Sequence, residues 1–266
     1  MSKFVRTDFS LKRLVDNSYK AIDQGVYETK QLFTHDTISL RKAITLCAHA
    51  PLITEVKFSS PSQGKIRSKT EPAEIAKTMA DSGAVGISVL TQPSLFDGSI
   101  EYLATIRKVL PRIPVLMKDI IVSTVQIDAG KKVGADCVLL IKSIFEHDLA
   151  EEGMEKLLEY AKNRGLEVLV EVHTEKEFAE VLKAEHDLVG INNRNLDNLL
   201  VDITNTEKLL KRFDKGKSLI ISESGIMSPE DIQYLKSAGA DAFLVGTSIM
   251  QTSDIGAKIS ELYYAL

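Results

Sequence analysis

The stretch KVGADCVLLI (132–141) reads as the end of a helix, a tight turn at Gly134, and a strand that is apolar at consecutive positions. Three more segments repeat the plan: DSGAVGISVL (81–90), KAEHDLVGIN (183–192) and SAGADAFLVG (237–246). Gly83, Gly134 and Gly239 fall where a helix C-terminus needs a positive φ. A short run that is apolar at every position suits a strand covered on both faces, as in a parallel sheet.

Working outward, the gaps between these segments hold PLITEVK (51–57), IPVLMK (113–118), LEVLVEV (166–172) and SLIISES (218–224), which also read as strands. Amphipathic stretches lie between strands: SIEYLATIRKVL (99–110), GMEKLLEYAKNRG (153–165), EKEFAEVLKAE (175–185) and PEDIQYLKSAG (229–239). Their apolar residues recur three and four apart, the helical period, and Pro229 suits a first helical turn. Eight strands alternating with helices demand parallel pairing and right-handed crossovers. Eight such units predict an α/β fold, a closed (β/α)8 TIM barrel, which takes about 250 residues; this chain has 266. The structural rival is an open doubly wound sheet, but no GxGxxG follows the first strand. Residues 1–48 precede the first strand and form an N-terminal helical extension. Leu11, Leu14, Val15, Ser18 and Ile22 make one helical stripe there, and Ser39 is placed to cap a second helix running to Cys47. No linker rich in Gly, Ser or Pro divides the chain, so residues 1–266 are expected to form one domain.

Composition narrows the function. Lys plus Arg number 33 and Asp plus Glu 37, a net charge of −4. A nucleic-acid binder usually carries a basic excess, so nucleic acid is not the expected partner. No apolar run approaches the roughly 20 residues of a membrane helix, and the N-terminus lacks a secretory h-region; cytoplasmic residence is the expectation. Cys47 and Cys137 have no short spacing and read as two buried free thiols. The histidines show no HxH or HExxH spacing, so no metal is expected. No cofactor is expected, and no GxSxG elbow suggests a covalent nucleophile.

Chemistry in such barrels sits at the C-terminal ends of the strands. Strand one ends in Glu55-Val56-Lys57, and residues two apart on a strand share a face, so Glu55 and Lys57 point the same way. Strand three ends in Lys118, strand five in Glu171, strand six in Asn192 with Arg194 beyond it, and strand seven in Glu223-Ser224-Gly225. Burying such groups costs several kcal/mol each unless they are paired. Gathered on one rim they satisfy one another and shift each other's pKa, which suits general acid–base work. Ser224-Gly225 after strand seven and Gly246-Thr247 after strand eight, where TSIMQ can open a short helix, have the makings of a phosphate cradle. Ser60 and Ser62 after strand one offer further donors.

At these residues the chain resembles the indole-3-glycerol-phosphate synthase family. The resemblance rests on Glu55-Val56-Lys57-Phe58-Ser59-Ser60-Pro61-Ser62, Lys118-Asp119-Ile120-Ile121, Glu171, Gly190 to Arg194, Glu223 to Ile226, and Leu244 to Ser248, in order over about residues 40 to 252. Ile120 stands where the family usually has Phe, Thr247 where Ser is frequent, and Phe58 where the residue is often basic or small. The resemblance implies that a sugar-phosphate substrate, 1-(2-carboxyphenylamino)-1-deoxyribulose 5-phosphate, closes an indole ring with loss of carbon dioxide and water. It further implies Lys118 as general acid, Glu171 as base, and Lys57 on the substrate carboxylate. Glu55, Asn192 and Glu223 would orient this network, and Ser224 would contact substrate. Phe96, Ile120 and Leu139 are candidate walls for the anthranilate ring, and Arg194 reads first as loop structure. Other tryptophan-pathway enzymes are candidate partners. A phosphoribosylanthranilate isomerase would need a Cys/Asp pair at strand ends, which is missing; a non-catalytic sugar-phosphate binder would be expected to lose some of Lys57, Lys118 and Glu171.

Overall fold

In a computed structural model, which describes residues 10–196 and 198–266, the apolar runs form eight parallel strands. They are β1 Leu52–Val56, β2 Gly86–Leu90, β3 Val115–Lys118, β4 Cys137–Ile141, β5 Glu167–Val172, β6 Leu188–Asn192, β7 Leu219–Glu223 and β8 Ala242–Val245. Each pairs with the next, and β8 closes on β1 through Leu52–Phe243, Ile53–Leu244 and Thr54–Val245. Closure leaves the barrel no open edge, which excludes the open sheet. The four helices expected from periodicity occur as Ile100–Val109, Met154–Asn163, Glu175–Lys183 and Pro229–Ser237. Gly83, Gly134 and Gly239 take φ values of 110°, 93° and 107°. Beyond β1, Ser59–Ser60 and Gly64–Lys65 pair as a small antiparallel hairpin.

Alternation along the strands separates two apolar regions. Val56, Val89, Met117, Val138, Val170 and Phe243 face the surrounding helices. Ile53, Leu116, Leu169 and Ile221 face the barrel interior. These four come from β1, β3, β5 and β7, the alternate strands that build one layer of such a core. Two residues further along the same strands stand Glu55, Lys118, Glu171 and Glu223. The charged set is therefore the next layer above an aliphatic one, and the strand register alone fixes its members as neighbours.

The chain before β1 is fastened along the whole height of the barrel. Helix α1 (Leu11–Asp23) is capped by Ser10 and buries Leu11, Leu14 and Val15 in the same apolar region as Ile120, Leu139 and Ile144. Further on, the Phe33 N–H donates to the Lys132 carbonyl at 2.8 Å, and the Ile38 N–H donates to Asp136 at 2.9 Å. Asp136 also takes the Arg107 guanidinium and the Val115 N–H. Helix α2 (Leu40–Thr45) is capped by Ser39, and its Leu40 N–H donates to Glu167 at 2.7 Å. Leu40 plugs the floor: a Cβ on Gly86, the first residue of β2, would lie 2.7 Å from Leu40 Cδ1.

Two expectations need correction. The second helix stops at Thr45, short of Cys47, because the chain must turn at Leu46 to reach β1. Cys47 is half-buried on that turn, so only Cys137 is a buried thiol.

Leu40→Ala is expected to lower the stability of the chain by about 2–5 kcal/mol, the usual cost of an uncollapsed cavity. The urea midpoint should fall, while turnover per folded molecule should hold, because Leu40 lies at the end of the barrel opposite the charged layer.

Candidate active site

Above the aliphatic layer the barrel opens into a cavity of about 390 Å³. Its lining includes all of the residues expected to form the site, from Glu55 on β1 and Lys57 just after it to Gly246 and Thr247 after β8. The polar centre is Lys118. Its ammonium lies 2.7 Å from Glu171 Oε2 and 2.5 Å from Glu223 Oε2. Asn192 donates to the other oxygen of Glu171 at 2.9 Å. Across the cavity Lys57 lies 2.6 Å from Glu55 Oε1, and Ser88 donates to Glu55 Oε2 at 3.4 Å.

Two glycines, Gly190 on β6 and Gly246 just after β8, make room for these carboxylates. A Cβ on Gly190 would sit 2.1 Å from Glu223 Oε1, and one on Gly246 would sit 2.7 Å from Glu55 Oε1 and 3.2 Å from Lys57 Nζ. The layer is thus built from four long charged side chains on odd strands and missing side chains beside them. Neither glycine has a positive φ, so space is the constraint here, not backbone conformation.

Burial pulls the Lys118 ammonium down, but Glu171, Glu223 and Glu55 together outweigh it and hold the ammonium charged, above its ordinary value. Burial raises Glu171, yet Lys118 and the Asn192 amide leave it below the usual carboxylate range. Glu223 goes the other way. Burial raises it, Lys118 opposes, the Glu171 charge adds to the rise, and its carboxyl is pushed up to about 8. Two carboxylates this close to one ammonium titrate as a pair, with Glu171 shifted down and Glu223 shifted up. The site therefore holds one ammonium between two carboxylates whose affinities for a proton are pushed apart.

The apolar wall comes from Phe96, Ile120 and Leu139, with Leu14 of α1 and Ile141. Phe96 closes a one-turn helix, Pro93–Phe96. Arg194 reaches the cavity while its guanidinium donates to the Leu199 carbonyl at 3.0 Å, so it also braces its own loop. Burial lowers its pKa, with Glu55 opposing.

At the far end Ser224 and Gly225 take consecutive positive φ values of 69° and 87°. A left-handed serine is costly and usually marks a functional turn. At Gly225 a side chain would also strike Val201 Cγ1 at 2.7 Å. Asn193, fully buried, holds the turn by donating to the Ser224 carbonyl at 3.1 Å. TSIMQ does form a short helix, Thr247–Gln251, and Ser248 donates from it to the Ile226 carbonyl at 2.9 Å. The turn after β7 and the helix after β8 are thereby tied together. Ser60 is buried and lies 3.4 Å from the exposed Ser62, hydroxyl to hydroxyl.

Sequence reasoning missed several participants. Leu14 was on the stripe of α1, but nothing in the chain said where that stripe would dock. Ile141 follows Leu139 by two and was open to the alternation argument. Asn193 points away from the cavity, and Gly190 acts by what it lacks.

Comparison with known proteins follows the same lines. A family model described as indole-3-glycerol phosphate synthase matches residues 11–262. A protein of that name from Acetivibrio thermocellus is 38% identical over 246 residues, 92% of each chain. One from Caldanaerobacter subterraneus subsp. tengcongensis is 44% identical over 203 residues, 76% of this chain and 77% of its own. Among solved structures, a thiamine phosphate pyrophosphorylase from Pyrococcus furiosus superposes with a TM-score of 0.60 at 18% identity, covering 85% of this chain and 97% of its own. A 3-hexulose-6-phosphate synthase gives 0.59 at 18% identity, covering 81% and 99%. At such identities these two speak for the barrel alone.

Two outcomes test the geometry. Gly190→Ala should push Glu223 off Lys118; a stability loss of about 1–3 kcal/mol is expected from the forced overpacking, read by urea unfolding. The raised Glu223 makes the folded chain bind more protons than the unfolded chain between the ordinary carboxylate value and about 8. Its contribution to stability is therefore full at low pH and is lost as pH rises through that window. Glu223→Gln, neutral at every pH, should gain on the parent between about pH 5 and about pH 9; parallel stability curves for the two proteins would contradict the assignment.

Proposed function

The chain belongs to the indole-3-glycerol phosphate synthase family and is a carboxy-lyase with that activity, and we propose how its residues divide the work. The substrate is 1-(2-carboxyphenylamino)-1-deoxyribulose 5-phosphate. The phosphate lies against the turn at Ser224-Gly225 and the start of the Thr247–Gln251 helix, with Gly246 letting the backbone come close and Ser60 and Ser62 nearby. Early N–H groups of a helix have no intrahelical partners and attract anions. The aromatic ring rests on Phe96, Ile120 and Leu139. With Ile in place of the family's usual Phe, one wall is aliphatic and the ring stacks on less π surface.

In the first step the ring carbon bearing the carboxylate attacks the ribulose carbonyl. Negative charge develops on the carbonyl oxygen, and the Lys118 ammonium gives it a proton. Lys57 holds the substrate carboxylate until the C–C bond to it breaks, when carbon dioxide leaves with its two oxygens and the bonding pair restores the aromatic ring. In the second step the new hydroxyl departs as water. Glu171 takes a proton from the methylene beside nitrogen, and Lys57 serves as acid to the leaving hydroxyl. Glu55 orients Lys57, Asn192 orients Glu171, and Glu223 anchors Lys118. Arg194 braces the loop above them and adds positive charge beside Glu55.

What most supports this reading is the single cation shared by Glu171 and Glu223, 2.7 and 2.5 Å away. It puts a proton donor and a proton acceptor within one substrate's reach. No helix of the described residues is long and apolar enough to cross a membrane. We infer that the enzyme works in the cytoplasm beside other tryptophan-pathway enzymes, without cofactor, and that residues 10–48 belong to the same domain as the barrel; the part of that expectation that falls on residues 1–9 lies outside the described residues.

Mixing purified protein with the substrate should produce indole fluorescence. Lys118→Ala should fold yet lose on the order of 10²–10⁴ in turnover, the contribution of a positioned acid. Near-normal turnover in that variant would remove Lys118 from the acid role.

A further inference from the structure

Between Lys118 and Ile120 lies Asp119, a buried carboxylate for which the mechanism above has no use. Its Oδ1 accepts from the Ile120 N–H at 2.7 Å and from Gln126 Nε2 at 3.5 Å. Its Oδ2 accepts from the Tyr27 hydroxyl at 2.9 Å and from the Thr91 hydroxyl. Gln126 extends the set: its amide donates to the Tyr27 hydroxyl at 3.2 Å and to the Ile120 carbonyl at 2.9 Å, and accepts from the Val122 N–H at 2.8 Å. The Thr91 N–H donates to the carbonyl of Lys118 at 3.1 Å.

These bonds converge on one short piece of backbone. β3 ends at Lys118, where the barrel ladder stops supplying partners, and the chain continues as an irregular segment to Ser123. A segment without ladder bonds needs other partners for its buried peptide groups. Asp119 and Gln126 supply them. Thr91, at the end of β2, grips both the Lys118 carbonyl and the Asp119 carboxylate. Tyr27 reaches in from the chain between α1 and α2. Burial pushes the Asp119 carboxyl up to about 6, and the Thr91, Tyr27 and Ile120 donors oppose the rise. Among the described residues, no ion pair involves it.

We propose that Asp119 is a positioning residue: its hydrogen bonds to Ile120, Thr91 and Tyr27 fix the end of β3 so that the Lys118 ammonium meets the carbonyl oxygen of the substrate. This rests on the acid role given to Lys118. Lys118 has five side-chain bonds between its Cα and the ammonium nitrogen, so a small tilt of its Cα moves the charge appreciably. Displacements near 1 Å cost catalysis on the order of 10²-fold.

The test compares kcat and KM of the full chain and its variants, after confirming that the parent converts the substrate; failure of the parent would sink the functional reading itself rather than this one. Asp119→Ala is expected to lose about 10- to 100-fold in kcat per folded molecule, with KM within about twofold. Asp119→Asn should recover kcat to within about threefold, since Oδ1 still accepts from Ile120 and the hydroxyls of Tyr27 and Thr91 can turn to accept. In a Lys118→Ala background the Asp119→Ala change should cost almost nothing further, because the group being positioned is gone. A full kcat in folded Asp119→Ala, an unrecovered Asp119→Asn, or the same fold-loss with and without Lys118 would each overturn the proposal. If Asp119→Ala does not fold, Tyr27→Phe removes one donor hydroxyl and carries the same test, with a loss of about threefold or more that must vanish without Lys118.

Discussion

Lys118 is a cation held in a cavity whose walls are mostly hydrocarbon, and the placement of nearly every other polar group at this end of the barrel follows from keeping it paired. Leaving one such charge without partners costs several kcal/mol, and removing one member of a buried pair costs as much. Glu171 and Glu223 meet that demand directly. Asn192 then occupies the free oxygen of Glu171. Glu55, Glu171 and Glu223 face Lys57 and Lys118, three carboxyl groups against two amines.

That electrostatic arrangement has a steric condition. Four long side chains from alternate strands cannot enter one layer unless their neighbours are small, and Gly190 and Gly246 are small where Glu223 and Glu55 need it. Below, Ile53, Leu116, Leu169 and Ile221 fill the barrel and keep water from reaching the charges from the floor. Leu40 then seals the bottom from outside the barrel. Pairing at the top and packing at the bottom are two halves of one design, since the low dielectric that strengthens the ion pairs comes from the hydrocarbon beneath them.

The extension links the two ends. α1 adds Leu14 to the cavity wall, Tyr27 touches the segment after β3, and α2 closes the floor. One stretch of chain thus contacts the apolar wall, the backbone that carries Lys118, and the base of the barrel. Asp136 and Glu167, near the starts of β4 and β5, hold its descending part by accepting backbone N–H groups. A strap fastened at several heights resists local opening better than one fastened at its end, because no single break frees it.

Much of the site was legible in the sequence. Period-two alternation told that Glu55 and Lys57 share a face, and the repeated helix–turn–strand plan placed Lys118, Glu171, Asn192 and Glu223 at the same end. Both inferences use only local geometry, which neighbouring residues dictate. What tertiary structure alone decided was partnership. Whether Lys118 meets Glu171, Glu223 or Glu55 depends on barrel register, and so does the upward shift of Glu223, which comes first from burial and then from charges far off in the chain. The docking of Leu14, the reach of Tyr27 to Asp119 and the space beside Gly190 belong to the same class. Each is a contact between segments that no residue's own preferences specify, and only closure of the barrel brings them within a few ångströms.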